Sequence, residues 1–104
     1  MIQLLKNFFG LGPQVDYKEL MGRGATIIDV RTTGEYQSGH VKGSVNIPLN
    51  NLFNNLSKFK KDKPIIICCA SGTRSGSAKS MLKSHGFQEV YNGGGWMNLR
   101  NKVA

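Results

Sequence analysis

The sequence predicts an α/β fold with a mostly parallel central sheet and helices on both faces. The apolar runs at residues 25–30 (ATIIDV) and 65–69 (IIICC) show no polar alternation, which is typical of strands that are covered on both faces. Segments with helical spacing of their apolar residues separate these runs. Strands that alternate with helices along a chain form a parallel sheet, and the crossover helices cover its two faces.

The first half of the chain is expected to supply two helices and two strands. Asp16 is a predicted N-cap, and Glu19, three residues later, is expected to reach back to it in a capping box. The strand at residues 25–30 follows. A short helix within residues 33–39 comes next, followed by a glycine-flanked turn. A second short strand is expected at residues 44–47, and Pro48 terminates it.

The second half is expected to supply the central strand and three helices. Apolar residues recur at helical spacing over residues 49–59, which predicts an amphipathic helix whose apolar stripe covers the sheet. The stripe consists of Leu49, Leu52, Phe53, Leu56 and Phe59. The run at residues 65–69 is the most apolar of the chain and is the predicted central strand. A helix at 75–85, a strand at 89–91, a flexible loop at 92–95 and a helix at 96–103 complete the prediction.

Length and charge limit the possible functions. A chain of 104 residues is long enough for one domain with a single core. Fourteen Lys and Arg against six Asp and Glu give a net charge of +8, which favours anionic partners. One lysine cluster interrupts an otherwise dispersed distribution (Lys58, Lys60, Lys61 and Lys63), and no exposed aromatic residues interleave with it. We therefore expect a solvated helix end there and no nucleic-acid partner.

Residues 1–14 are predicted to form an apolar extension, and residues 15–104 the folded domain. The extension is too short to span a bilayer and has no secretory cleavage site, which predicts no transmembrane segment and a cytoplasmic location. Docking of its apolar residues onto the domain is the expected arrangement, with membrane or partner contact as the alternative. The adjacent Cys68 and Cys69 are expected to be reduced thiols, because a disulfide between neighbours closes almost no loop.

The segment CCASGTRS, which follows the central strand, is the candidate site. Open α/β sheets bind ligands at the carboxyl ends of their strands. The small residues here let several backbone N–H groups converge beside the positive end of the next helix (Ala70, Ser71, Gly72 and Thr73). A cysteine at this position is expected to be a thiolate, with a pKa moved from about 8.5 into the range of roughly 3.5 to 7.5. Arg74 is expected to supply a permanent cation for an anionic substrate.

Several ordered motifs resemble those of single-domain rhodaneses, a family of sulfurtransferases. These are Asp29-Val30-Arg31, Glu35-Tyr36, the run from Gly39 to Ser44, Asn46-Ile47-Pro48, and Cys69 to Ser75. The resemblance covers about residues 15–100 and implies a rhodanese-like three-layer fold. It also implies that the six-residue loop from Cys69 to Arg74 cradles a persulfide sulfur. Cys69 is then the catalytic residue, and Ala70, Ser71, Gly72, Thr73 and Arg74 bind the substrate.

The chemistry implied by this resemblance is a double displacement. Cys69 takes a sulfane sulfur from a small anionic donor, thiosulfate or a persulfide, and passes it to an acceptor. The acceptors are cyanide and thiols, protein thiols among them. The resemblance implies no metal and no organic cofactor. A non-enzymatic module that carries persulfide or binds a partner is a further hypothesis.

The choice between the two cysteines changes the expected chemistry. Counted from Cys69 the spacing to the arginine is C-x4-R, whereas from Cys68 it is the wider C-x5-R of cysteine-dependent phosphatases and arsenate reductases. Gly72 stands at the third place after the nucleophile only when the count begins at Cys69. Adjacent strand residues point to opposite faces, so we expect Cys69 to open toward solvent and Cys68 to pack among helices. Cys69 is the predicted nucleophile, and a Cys68-dependent phosphatase is the alternative.

Other polar residues are expected to have structural roles. Asp29, Arg31 and Glu35 are predicted to form a charge network that ties the end of the first strand to the next helix. His40 is predicted to be a hydrogen-bonded turn residue. Trp96 is expected in the core or at the rim of a pocket.

Overall fold

The structure is a computed structural model that describes residues 14–104. The predicted apolar extension therefore lies outside the described residues except for Gln14, and its docking onto the domain stays a prediction. No helix in the described part of the chain combines the length and apolar content needed to cross a membrane.

Four parallel strands form the sheet, in the order β2-β1-β3-β4. Their bounds are β1 Thr26–Asp29, β2 Val45–Asn46, β3 Ile65–Cys69 and β4 Val90–Gly95. The most apolar run of the sequence is an inner strand, because β3 pairs with β1 on one side and with β4 on the other. The predicted parallel α/β class is thus confirmed.

The described residues also form five α-helices and one 3-10 helix. They are α1 Tyr17–Gly22, α2 Thr33–Gln37, α3 Leu49–Leu52, the 3-10 helix Phe53–Lys58, α4 Thr73–Ser84 and α5 Trp96–Val103. Residues of α1 and α5 pack on one face of the sheet. Residues of α3, the 3-10 helix and α4 pack on the other.

Side chains cap the first two helices. Asp16 accepts a hydrogen bond from the Glu19 amide at 3.1 Å, as predicted for the N-cap of α1. The Glu19 side chain does not reach back to Asp16, however, and pairs with Arg23 at 2.7 Å. Thr32 and Glu35 form a complete capping box on α2, in which each side chain accepts from the other residue's amide. This box holds Glu35 at the start of α2.

Two sequence predictions require correction. The helix expected over 49–59 divides into α3 and the 3-10 helix, and Phe53 is 60% exposed instead of covering the sheet. Neighbouring helical side chains diverge by about 100°, so Phe53 turns away once Leu52 is buried. The loop expected at 92–95 forms the last four residues of β4. A Cβ on Gly95 would lie 2.9 Å from the Ala70 carbonyl oxygen, so this edge needs glycine in order to approach the candidate site.

Alternate residues of β3 point into different halves of the core. Ile65, Ile67 and Cys69 pack in the cluster on the α4 face. Ile66 and Cys68 pack in the cluster on the α1 and α5 face. The prediction that the two cysteines point to opposite faces is confirmed, because strand side chains alternate with a period of two.

The lysine cluster lies at the opposite end of the strands from Cys69. Lys58, Lys60 and Lys63 are exposed and line a cavity beside Thr26 and Ile65, the first residues of β1 and β3. These three positive charges therefore stand at the amino ends of the strands, away from the loop that follows Cys69.

Candidate active site

The loop after β3 turns sharply before α4 begins. Gly72 is the N-cap of α4 and has φ +104°. This left-handed conformation is strained for any residue that carries a Cβ. Helix α4 starts at Thr73, two residues earlier than predicted. Ala70 and Ser71 form the exposed part of the turn. The early start brings the first-turn amides of α4 close to Cys69.

The Cys69 sulfur is surrounded by hydrogen-bond donors. The Gly72 amide donates to Sγ at 2.9 Å, and the Ser75 amide donates at 3.4 Å. The Ser75 hydroxyl oxygen lies 3.3 Å from the same sulfur. These donors, together with the positive end of α4, favour a negative charge on the sulfur.

Two opposing influences set the pKa of the Cys69 thiol. Burial is the largest single influence and raises it. Hydrogen bonds from the Ser75 hydroxyl and from three backbone amides act in the opposite sense, and together they hold the pKa below its ordinary value. The site therefore favours the thiolate, which is the nucleophilic form of cysteine.

The sequence predicted that Cys69 opens toward solvent, and this prediction is wrong. The residue is only 1% exposed, because the groups of Gly72 and Ser75 that bind its sulfur close around it. The amides of Thr73 and Arg74 belong to the first turn of α4, where N–H groups lack the usual partner four residues earlier. Within the described residues these two amides have no acceptor, so they are available to an atom bound beside the sulfur.

A second layer of hydrogen bonds holds this loop against β4. The Ser75 hydroxyl lies 2.6 Å from Asn92 Oδ1. Asn92 Nδ2 donates to the Gly72 carbonyl at 3.1 Å, while its Oδ1 accepts from the Gly94 amide at 2.9 Å. Sequence reasoning missed both Ser75 and Asn92. Ser75 directly follows the six-residue loop, and this adjacency could have identified it. Asn92 comes from β4, where it pairs with Ile67 just before a register shift, and no local pattern in the sequence signals that position.

Cys68 lies in a different environment from its neighbour. It is fully buried on the opposite face of the sheet. Burial, followed by the negative charge of Asp29, raises the pKa of the Cys68 thiol to about 12. A thiol in this position stays protonated at neutral pH and is a poor nucleophile.

The predicted charge network is present, with one difference. Arg31 binds both carboxylate oxygens of the buried Asp29, at 2.9 and 2.8 Å. It also donates to the backbone carbonyls of Glu35 at 3.2 Å and Gly39 at 2.6 Å, and so ties β1 to the turn after α2. The side chain of Glu35, in contrast, turns away from Arg31 toward the loop.

Arg74 is paired with Glu35. Its two terminal nitrogens contact the carboxylate oxygens at 2.7 and 3.0 Å, so the contact is bidentate. Hydrogen bonds from Arg74 are the largest cause that lowers the pKa of Glu35 to about 2. The cation that the sequence predicted for substrate binding is thus half of an ion pair.

A cavity of about 300 Å³ lies beside Arg74. Its other lining residues come from the ends of β1 and from the segment that enters α3 (Val30, Thr32, Pro48, Leu49 and Asn50). Three of these are apolar. This cavity offers a ligand an apolar wall next to the arginine of the loop.

His40 and Trp96 have the structural roles expected of them. His40 Nδ1 lies 2.8 Å from the Tyr36 carbonyl oxygen, and the two rings stack with centroids 3.7 Å apart. Trp96 is half-buried against the α1 and α5 core, and the Arg31 guanidinium lies 4.8 Å from its ring centroid. Both residues therefore support the turn that Arg31 holds.

This fold and this loop agree with the comparisons with known proteins. The family model of the Rhodanese-like domain matches residues 14–102, and the chain belongs to the rhodanese family. A solved structure, "rhodanese with anions from E. coli", superposes with a TM-score of 0.68 at 34% identity and covers 71% of this chain and 89% of that one.

Two relatives extend the comparison. The chain is 39% identical over 74 residues to the thiosulfate sulfurtransferase PspE of Escherichia coli, which covers 69% of this chain and 71% of that protein. It is 38% identical over 82 residues to the uncharacterized protein YqhL of Bacillus subtilis, which covers 78% of this chain and 65% of YqhL. The chain thus spans slightly less than two thirds of that relative. These similarities support membership of a sulfurtransferase family.

Proposed function

We propose that this protein is a sulfurtransferase that moves a sulfane sulfur from thiosulfate or a persulfide to a thiol or cyanide through a persulfide on Cys69. The observation that carries the proposal is the pair of amides at the start of α4 that donate to the Cys69 sulfur, with the Ser75 hydroxyl oxygen 3.3 Å from the same atom. Membership of the rhodanese family and similarity to a protein named thiosulfate sulfurtransferase support it.

In the first half-reaction the Cys69 thiolate attacks the sulfane sulfur of the donor. With thiosulfate, a bond forms between Cys69 Sγ and the sulfane sulfur. The bond between the two sulfurs of the donor breaks, and its electron pair leaves with sulfite. The product is a persulfide whose terminal sulfur carries the negative charge. The free amides of Thr73 and Arg74 can donate to this sulfur, so the helix end stabilises the intermediate.

In the second half-reaction an acceptor removes the terminal sulfur. Cyanide or a thiolate attacks that atom, and the bond to Cys69 breaks. The electron pair returns to Cys69 as the thiolate, and thiocyanate or the acceptor persulfide leaves. The hydrogen bonds that lower the pKa of Cys69 also make its thiolate a better leaving group in this step.

The alternative of a Cys68-dependent phosphatase has less support. Its nucleophile would be a fully buried thiol with a raised pKa on the face of the sheet away from the loop amides. Anion binding by those amides would then take place on the opposite side of the strand from the reacting sulfur.

Intact mass measurement tests the proposal. Wild type treated with thiosulfate should gain one sulfur atom and lose it again on addition of cyanide. Cys69→Ser should gain none, while the matched variant Cys68→Ser should behave as wild type. Retention of the adduct in Cys69→Ser, or its loss in Cys68→Ser, would contradict the assignment. An adduct that forms without catalytic production of thiocyanate would favour the carrier hypothesis instead.

A further inference from the structure

The Arg74–Glu35 pair is held more firmly than an ordinary surface ion pair. Besides its two contacts with Arg74, Glu35 accepts hydrogen bonds at Oε1 from the Thr32 amide and the Thr32 hydroxyl, both at 3.0 Å. The backbone of Arg74 is also fixed, because it belongs to the first turn of α4. The carboxylate is therefore a fixed part of the loop entrance.

Arg31 and Arg74, the two arginines that contact Glu35, are each paired with a carboxylate. Arg74 is neutralised by Glu35, and Arg31 by the buried Asp29. Because the pKa of Glu35 is about 2, the carboxylate stays charged wherever Cys69 is a thiolate. An anionic donor is thus bound mainly by backbone amides and the helix end, while the lysine cluster lies at the opposite end of the strands.

The neighbouring cavity adds an apolar surface. Val30, Pro48 and Leu49 line it together with Arg74. Arg74 has five N–H donors and uses two of them on Glu35, so it can still donate to an oxygen of a ligand in this cavity. A donor with one charge and an apolar arm fits this combination of hydrogen bonding, low net charge and apolar wall.

We propose that Glu35 is a specificity-determining residue that makes the Cys69 site favour singly charged sulfane-sulfur donors with an apolar arm, such as aryl thiosulfonates, over the thiosulfate dianion. This inference rests on the proposed sulfur transfer at Cys69. Its physical basis is that, at the same distance, a net cation attracts a dianion twice as strongly as a monoanion. Neutralising Arg74 therefore penalises thiosulfate more than a thiosulfonate.

The reaction with such a donor balances without a co-reactant. The Cys69 thiolate attacks the outer sulfur of the thiosulfonate, and a bond forms between these two sulfurs. The bond between the outer sulfur and the sulfonyl sulfur breaks, and its electron pair leaves with the aryl sulfinate. One negative charge stays on the persulfide and one leaves on the sulfinate, as many as the reactants carried.

Glu35→Gln is the main test variant. Glutamine is accepted at the third position of a capping box, so the bond from the Thr32 amide is kept while the charge is lost. The matched control is Glu89→Gln, which removes the carboxylate of another bidentate arginine pair, with Arg23 at 3.1 and 2.6 Å. Glu89 precedes β4 at the edge of the sheet away from Cys69.

The readout is kcat/KM for thiosulfate divided by kcat/KM for benzenethiosulfonate, with cyanide as the acceptor at low salt. Glu35→Gln should raise this ratio by about three- to tenfold, a modest factor because the two side chains are 35% and 37% exposed and solvent screens them. Arg74→Gln, which leaves the carboxylate unpaired, should lower it. A ratio that changes no more in Glu35→Gln than in Glu89→Gln overturns the proposal.

A second measurement does not depend on turnover. Cys69 is alkylated by anionic iodoacetate and by neutral iodoacetamide, and the ratio of the two rates reports the charge near the sulfur. Glu35→Gln should raise this ratio, and Glu89→Gln should not. If wild type forms no persulfide with either donor, the proposed function fails. The alkylation ratio still decides the role of Glu35, since an unchanged ratio overturns it and a raised ratio supports it.

Discussion

Ser75→Ala tests how the loop tunes Cys69. The substitution removes a buried hydroxyl that lies 3.3 Å from the Cys69 sulfur, and it leaves the donating Ser75 amide in place. Loss of this donor destabilises the thiolate relative to the thiol. The pKa of Cys69 should therefore rise, and the thiolate fraction at neutral pH should fall.

The size of the effect follows from the hydrogen bonds of the hydroxyl. A hydrogen bond to a charged group contributes about 1.5–3 kcal/mol, and one pKa unit corresponds to about 1.4 kcal/mol. The single hydroxyl proton is shared with Asn92 Oδ1 at 2.6 Å and the Gly72 carbonyl at 3.1 Å, which favours the low end of that range. We expect the pKa to rise by about one unit, which moves the midpoint of the thiolate titration up by about one pH unit and lowers the thiolate fraction at pH 7 by at most about tenfold.

The assay is the pH dependence of Cys69 alkylation by iodoacetamide, followed by mass. Iodoacetamide is neutral, so its rate follows the thiolate fraction, and Cys68 with a pKa of about 12 does not interfere. Ser77→Ala is the matched control, because Ser77 is an exposed serine on the same helix. An unshifted midpoint in a folded Ser75→Ala protein would refute the reasoning. Thermal unfolding should differ little, because Asn92 Oδ1 keeps its bond from the Gly94 amide.

Two further substitutions test the packing around the loop. Gly95→Ala places a Cβ 2.9 Å from the Ala70 carbonyl oxygen, and we expect about 1–3 kcal/mol of destabilisation and a slower persulfide formation. Gly22→Ala is the control, because its new methyl group meets nothing within 4 Å. A wild-type rate of persulfide formation in Gly95→Ala, or a reduced rate in Gly22→Ala, would contradict this account. Cys68→Ala should lower the free energy of unfolding by about 1 kcal/mol in urea and leave persulfide formation unchanged, because its thiol faces Asp29 on the other side of the sheet. Loss of the adduct in that variant would show a chemical role for Cys68.

Local patterns in the sequence were sufficient for the framework of the site. The unbroken apolar run at 65–69 identified the inner strand, because a strand covered on both faces leaves no position for a polar side chain. The alternation of strand side chains separated Cys68 from Cys69. The small residues after Cys69 predicted the tight turn, in which Gly72 adopts its left-handed conformation.

The boundaries near the loop were predicted less well. The glycines at 93–95 indicated a flexible loop, yet they continue β4, since only glycine lets this strand pass so close to the Ala70 carbonyl. Phe53 fitted a helical stripe and is exposed, because Leu52 takes the inward position. The error at β4 arose where contact with another part of the chain overrode a local preference.

The sequence by itself determined the α/β class, the inner strand, the loop after Cys69 and the opposite directions of the two cysteines. These features follow from backbone geometry and from the spacing of apolar residues over a few positions. Only the tertiary structure decided that the sulfur is enclosed, that Asn92 binds Ser75, and that Glu35 neutralises Arg74. The last two contacts join residues 17 and 39 positions apart along the chain, and they exist only because the parallel sheet brings the ends of its strands together.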